Sequence, residues 1–316
     1  MSSFRELGKS LSNWGRWGPD DEIGTLNLIG RDQVRAAAAQ VRSGEVVSMG
    51  LRLAAHGPQP GQARGTERFN PVHLVTERGY APDFRGDICV ADDHISMPLQ
   101  ASTQFDALAH ISYDGQMYNG FSNRSVTWQG ATYCGIDKTA AGVTGRGVLL
   151  DVARFHGLPT LPSNHLISSA ELDAVAAHQG VEILPGDILL LRTGWIERFK
   201  AGMDVGEFWT ATPGLLLETA TWLREHDIAA VAADNTSVEA TASLPDGPVS
   251  PSDPEQAYPF HMVAIRDLGL TLGELFDLEK LGESCARDGR YEFLFSAPNL
   301  LVPGGLGSPL NPLATK

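Results

Sequence analysis

Eleven residues, Gln100–His110 (Q-A-S-T-Q-F-D-A-L-A-H), set two carboxamides, a carboxylate and an imidazole at short intervals: Gln100, Gln104, Asp106 and His110. The strand-like run Ile95–Leu99 leads into them. If the chain stays extended through Asp106, Gln104 and Asp106 share one face; if a helix then begins, Asp106 and His110 stack one turn apart. Either geometry lets three polar heads converge on one point. Phe105, Ala107, Leu108 and Ala109 are apolar and would hold the backbone in the core, leaving the polar heads to line a pocket. Such a set suits acid–base or metal-ion chemistry. The alternative is a buried histidine bonded to a carboxylate in a purely structural part.

A site of this kind must be held by rigid elements, and the hydrophobic pattern supplies them. Gly147–Val152, Pro185–Thr193, Ile228–Ala233 and Tyr291–Ala297 read as buried strands, and Arg31–Ser43, Ser168–His178 and Leu215–His226 as helices. This alternation gives an α/β fold. Trp195 follows the second of these strands and Asp234 the third, at carboxyl ends where small-molecule sites often lie. Val46–Ala54 is strand-like, Asp92-Asp93-His94 reads as a turn, and Asp114-Gly115 as a hairpin turn beside Tyr113. Trp14 and Trp17, among turn residues, suit either a lid on an aromatic pocket or an anchor for the terminus. Tyr113 suits pocket lining or cross-strand packing equally. Two long loops, His56–Pro71 and the five-proline Thr241–Pro259, suit flaps or disorder. The second delivers His261, after which Met262–Asp267 opens into Thr271–Leu281 with Glu274 near its start.

The Gln100–His110 segment resembles the signature H-x-G-T-H-x-D-x-x-x-H of the cyclase family, which includes bacterial kynurenine formamidase and isatin hydrolase. Thr103, Asp106 and His110 match it; Gln100 and Gln104 stand where the family has histidines, and Ser102 where it has glycine. Further blocks match in order: Val231–Val238 resembles the G-x-D-x-x-S-x strand end, His261 falls where a metal-binding histidine is expected, Glu274 matches the late metal-bridging glutamate, and Gly305–Pro309 the closing segment. The resemblance implies a single swivelling β/β/α domain over residues 1–316, and metal-assisted hydrolysis of an amide, aryl formamide, cyclic amide or lactone in a small aromatic substrate. It implies that Gln100, Gln104, Asp106, His261 and Glu274 occupy the positions of the metal ligands, for Mn²⁺ or Zn²⁺, and that His110 is the general acid/base. Substrate contacts are expected from Trp14, Trp17, Tyr113, Trp195 and Asp234. Run in reverse with loss of water, the same groups would cyclise. Three metal outcomes follow from the glutamines: one metal on Asp106, His261 and Glu274; a Mn²⁺ or Mg²⁺ site that includes Gln104; or a metal-free, ligand-binding relative. Family members pair as dimers or higher oligomers, so a homodimer or homotetramer is expected, with residues 1–45 at the contact.

Composition limits the alternatives. The chain has 316 residues, 24 Lys+Arg against 38 Asp+Glu and a formal net charge of −14, which repels phosphate backbones and argues against nucleic acid as a partner. Cys89, Cys134 and Cys285 are scattered with no C-x-x-C, as expected of reduced thiols in a cytoplasmic protein. No apolar run approaches membrane-spanning length and Met1–Asn13 has no signal-like apolar core, so neither a membrane nor secretion is expected. G-x-S-x-G and H-E-x-x-H are absent, which removes serine hydrolases with a nucleophile elbow and zincins. Gly142–Gly147 matches G-x-x-G-x-G but precedes a strand instead of following one, so dinucleotide binding is discounted.

Overall fold

A computed structural model describes residues 4–61, 68–77, 90–241 and 258–316. Strands drawn from both ends of the chain meet in one nine-stranded sheet. From one edge to the other its order is Val46–Ser48, Leu313–Thr315, Glu292–Ala297, Val143–Asp151, Ile188–Arg192, Ala230–Ala233, Thr271–Glu274, Gln104–Asp106 and Gly307–Pro309. The four strands from Val143–Asp151 to Thr271–Glu274 are parallel, and the pairings on either side of them are antiparallel. The fold is therefore mixed α/β.

Parallel strands are covered on both faces, which is why they read as unbroken apolar runs. Successive side chains then enter different cores. Val148, Leu150, Leu189, Leu191, Val231, Ala233 and Leu272 face a cluster built with the helices Ser169–Gln179 and Thr219–Glu225. Leu149, Ile188, Leu190, Ala230, Ala232 and Phe105 face a second cluster that includes Leu281 and Cys285 of the helix Glu279–Asp288. Phe105 thus pins its strand into one core while its neighbours Gln104 and Asp106 point the other way.

Several elements differ from the sequence expectations. The strand before the key segment is Asp92–Ser96, so Asp92-Asp93-His94 is extended rather than a turn, and residues 99–103 form a turn followed by bends. It pairs with Val72–Glu77, and this pairing, with residues exposed along the strand, replaces the expected single run to Leu99. No helix follows Asp106. The backbone N–H groups of Ala107 and Ala109 donate to Leu306 O and Cys134 O, distant partners that a helix would forgo. Val46–Ala54 contributes only Val46–Ser48, and the helix from Arg31 ends at Ala38. A short strand, Gly214–Leu215, precedes the helix Thr219–Glu225. An unanticipated helix, Phe4–Leu11, opens the described chain, and Met262–Leu268 is a π-helix, a rare form often found at functional sites. The Asp114-Gly115 turn is as expected, with φ of 51° and 74°. Cys89 and most of the loop Thr241–Pro259 lie outside the described residues. Among the described residues no helix is long and apolar enough to cross a membrane.

Gly273 shows how tightly the strand ahead of Glu274 is packed. A Cβ there would lie 2.7 Å from the Phe105 ring, 2.8 Å from Ala232 Cβ and 2.8 Å from the Phe276 ring. Overpacking of this kind in a filled core costs roughly 1–3 kcal/mol. Gly273→Ala is expected to lower the urea unfolding free energy by about that amount; an unchanged midpoint would show that the two strands separate freely.

Candidate metal centre

Three adjacent strands at the end of the sheet present the polar residues. Glu274 pairs with Gln104 across one ladder, and on the other side Gly307 pairs with Asp106 and Pro309 with Gln104. Glu274 lies at the carboxyl end of its parallel strand, the usual place for a ligand crevice in such sheets. Thr103 locks the register: its hydroxyl donates to Leu275 O at 2.6 Å and accepts from Leu51 N at 2.9 Å.

Asp106, His261 and Glu274 bring one ligand atom each to within 4.8 Å of one another, and all three are buried. Gln104 donates through Nε2 to Glu274 Oε2 at 2.9 Å, which leaves its carbonyl Oε1 free. That oxygen and both carboxylate oxygens of Asp106 are buried with no hydrogen-bond partner. Buried polar atoms are normally satisfied, and an orphaned carboxylate is especially unfavourable. Three unpartnered oxygens beside Glu274 and His261 are a donor set that fits a divalent cation.

His261 is held from both sides. Its Nδ1 meets Glu239 Oε1 at 2.5 Å and its Nε2 lies 3.2 Å from Glu274 Oε1. Glu239 also accepts from the backbone N–H groups of Phe260 and His261. A carboxylate bonded to one imidazole nitrogen fixes the tautomer and aims the other nitrogen, the arrangement seen behind metal-binding histidines. Burial alone would lower the His261 pKa, but the bonds to Glu239 and Glu274 outweigh it and raise the value to about 10. Burial pushes the Glu274 carboxyl up, and the His261 contact more than reverses this, leaving it below its ordinary value. The Asp106 carboxyl is raised, chiefly by burial, against the pull of His110.

His110 ends the turn after Asp106, its backbone N–H bonded to Ala107 O. Its Nε2 is 3.7 Å from Asp106 Oδ1, and its side chain is 23% exposed, the only member of this group open to solvent to that degree. It can therefore exchange protons with a bound molecule and with water. Gln100 sits in the preceding turn, and its Nε2 lies against Gly307, the register partner of Asp106.

The residues expected to contact substrate are less concentrated. Asp234 is buried and fully engaged, accepting from the N–H and hydroxyl of Thr193 and the N–H of Gly194; burial nevertheless raises its carboxyl to about 6. Its part is to fold the turn after Ile188–Arg192. Trp195, 2% exposed, donates to Phe208 O and stacks on the Phe208 ring, so it packs a small core. Trp14 donates to Arg266 O and lies under the Arg266 guanidinium, which also covers Tyr113 at 3.9 Å. The Tyr113 hydroxyl donates to Asp267. Trp14 and Tyr113 thus anchor the N-terminal segment on the π-helix next to His261, and Trp17 packs under Arg16. Two residues were missed in the sequence. Glu239 follows a strand exit in an unpatterned turn and carried no spacing signal. Arg68, in a loop, acts by its charge on both Asp106 and Glu274.

The family model for cyclases matches residues 25–240. A crystal structure of a novel cyclase shares 38% identity over 98% of this chain and 99% of its own, with a TM-score of 0.88. Isatin hydrolase A from Ralstonia solanacearum shares 21% identity over 88% of this chain and 93% of its own, with a TM-score of 0.61. An isatin hydrolase bound to the product analogue thioisatinate shares 19% over 90% and 98%, with a TM-score of 0.60. At these identities the last two show a common fold. No curated protein matches.

The charge pairing of His261 has a measurable consequence in chelated protein. A histidine whose pKa rises from 6.5 to about 10 on folding contributes stability fully below about pH 6.5, and that contribution is lost as pH rises through about 10. The stability gap between wild type and His261→Gln should therefore be widest near pH 6 and narrow toward pH 10 in urea titrations. A gap independent of pH would show that His261 is neutral between its two carboxylates.

Proposed function

The chain belongs to the cyclase family, and from that premise we propose that it is a metal-dependent hydrolase of a carbon–nitrogen or lactone bond in a small, aromatic carbonyl compound. The observation that carries this reading is the set of buried, unpartnered oxygens on Asp106 and Gln104 facing Glu274 and His261. Asp106, His261, Glu274 and Gln104 Oε1 would hold the cation. An oxygen-rich set with one imidazole favours Mn²⁺ over Zn²⁺. A divalent cation there supplies Lewis acidity: it lowers the pKa of a water and polarises a carbonyl.

The remaining chemistry belongs to the chain. Glu239 keeps the Nδ1 proton of His261, so Nε2 faces the cluster. Gln104 spends its amide N–H on Glu274 and so turns its oxygen inward. His110, beside Asp106 yet partly open, takes a proton from the attacking water and delivers it to the departing nitrogen or oxygen. Arg68 adds positive charge near the carboxylates, suited to an anion developing on the substrate. Isatin, named in two relatives of the same fold, is a small cyclic aryl amide, in keeping with that substrate class. Reversal with loss of water gives a second reading, a cyclase, favoured by the 38% identical relative described as one.

Elemental analysis of wild type and Asp106→Ala tests the premise. Wild type is expected to carry about one equivalent of Mn²⁺ or Zn²⁺ per chain more than the variant; equal metal content in the two would sink the metal mechanism. His110→Ala should retain the metal and lose roughly 10²–10⁴-fold in kcat on whichever formamide, cyclic amide or lactone the wild type turns over. Loss of metal together with activity would instead make His110 a ligand.

A further inference from the structure

A second cluster lies apart from the Asp106 centre. His156 closes the short helix Val152–Phe155, His165 stands just before the strand Leu166–Ile167, and Glu171 lies in the first turn of Ser169–Gln179. Both imidazoles aim Nε2 at the same atom, Glu171 Oε1, His156 at 2.5 Å and His165 at 2.8 Å. The two rings are 5.0 Å apart between centroids. Three candidate ligand atoms from three elements thus fall within 4.8 Å of one another. The side chains are 35%, 23% and 14% exposed, so the cluster opens to solvent on the His156 side.

We propose that His156, His165 and Glu171 form a second, structural site for Zn²⁺ or a similar borderline cation, completed by water. Two imidazoles and a carboxylate with one open position are a recurrent zinc donor set, whereas Mg²⁺ and Ca²⁺ prefer oxygens alone. Tetrahedral bonds of roughly 2.0–2.1 Å place ligand atoms about 3.3 Å apart. The present spacings to Glu171 Oε1 are hydrogen-bond distances, so about 0.5 Å of opening is needed at His165 and the larger share, about 0.8 Å, at His156. His156, the most exposed of the three and at a helix end before Gly157, can supply it. In the metal-free state the Nε2 protons bridge to Oε1; on loading they move to Nδ1 or leave to solvent, and the cation takes their place.

Such a clip would tie down the loop between His156 and His165. That loop supports the turn after Ile188–Arg192: Pro159 O accepts from Arg192 Nη2 at 3.2 Å, and Leu161 N donates to Thr193 O at 2.8 Å. Thr193 is in turn held by Asp234. The cation would thus stabilise the carboxyl end of the sheet without touching the Asp106 centre.

The test uses the full chain carrying Asp106→Asn, stripped with chelator and titrated with Zn²⁺ alone, alongside the same chain with His156→Ala or Glu171→Gln added. The Asp106→Asn chain should bind one equivalent more than either double variant, or bind it at least about tenfold more tightly. Zinc should raise its Tm, and the rise should vanish in the double variants, whose circular dichroism shows whether they are folded. Excess Mg²⁺ should not compete. Equal zinc binding by the Asp106→Asn chain and a folded double variant, or none by any of them, overturns the proposal and leaves two histidines hydrogen-bonded to a glutamate.

Discussion

Three buried carboxylates, Asp106, Glu239 and Glu274, sit around one buried imidazole, and the arrangement at this end of the molecule answers to that imbalance. A charge removed from water is strongly unfavourable unless it is paired and hydrogen-bonded. His261 answers for two of the three: Glu239 on Nδ1 and Glu274 on Nε2. Asp106 is left with His110 at 3.7 Å and no hydrogen bond. The deficit is local, since Gln104, on the same strand and bonded to Glu274, carries another buried, unpartnered oxygen. The surrounding core holds the strands so closely, as at Gly273, that the groups cannot move apart to reach water.

Rigidity behind the centre comes from the segment Asp234–Glu239. Asp234 closes the turn at Thr193–Gly194, and Asn235 accepts from Val238 N at 2.7 Å while donating to Pro213 O at 2.6 Å. Val238 is thereby kept at φ 58°, a left-handed conformation that a β-branched residue seldom adopts. Strain of that kind persists only where the surroundings over-determine it. Its product is the position of the next residue, Glu239, whose carboxylate reaches two backbone N–H groups and the His261 ring.

Much of this was legible in the sequence and some was not, for physical reasons. Buried parallel strands announce themselves because both faces must be apolar, so Ile188–Arg192 and Ala230–Ala233 fall inside the runs read from the pattern. Asp106 and His110 are legible from their close spacing behind a strand, whereas His261 and Glu274 stand out only through the family resemblance. Their meeting was not legible, since Glu274 reaches Gln104 only through a ladder between residues 170 apart. The helical alternative after Asp106 fails for the same reason: distant carbonyls take the backbone donors. Glu239 left no trace because a positioning carboxylate needs no spacing pattern. Trp14, Tyr113 and Trp195 were ambiguous between pocket and packing, and their indole and hydroxyl groups find partners within the chain.

The glutamines are the point at which this chain departs from the family signature, and the geometry gives the departure a physical sense. An imidazole at position 104 would offer one nitrogen to a cation and would need an acceptor for the other. The carboxamide needs no such acceptor, because its N–H donates to Glu274 Oε2 and draws that carboxylate toward the strand. Gln104 therefore joins the strands and presents a neutral oxygen at once. Replacing an imidazole by an amide oxygen weakens soft character without adding charge, so in the proposed site the carboxylates of Asp106 and Glu274 would supply the attraction for the cation. A decayed site would have no reason to keep those carboxylates in a core where, without a cation, one of them has no partner.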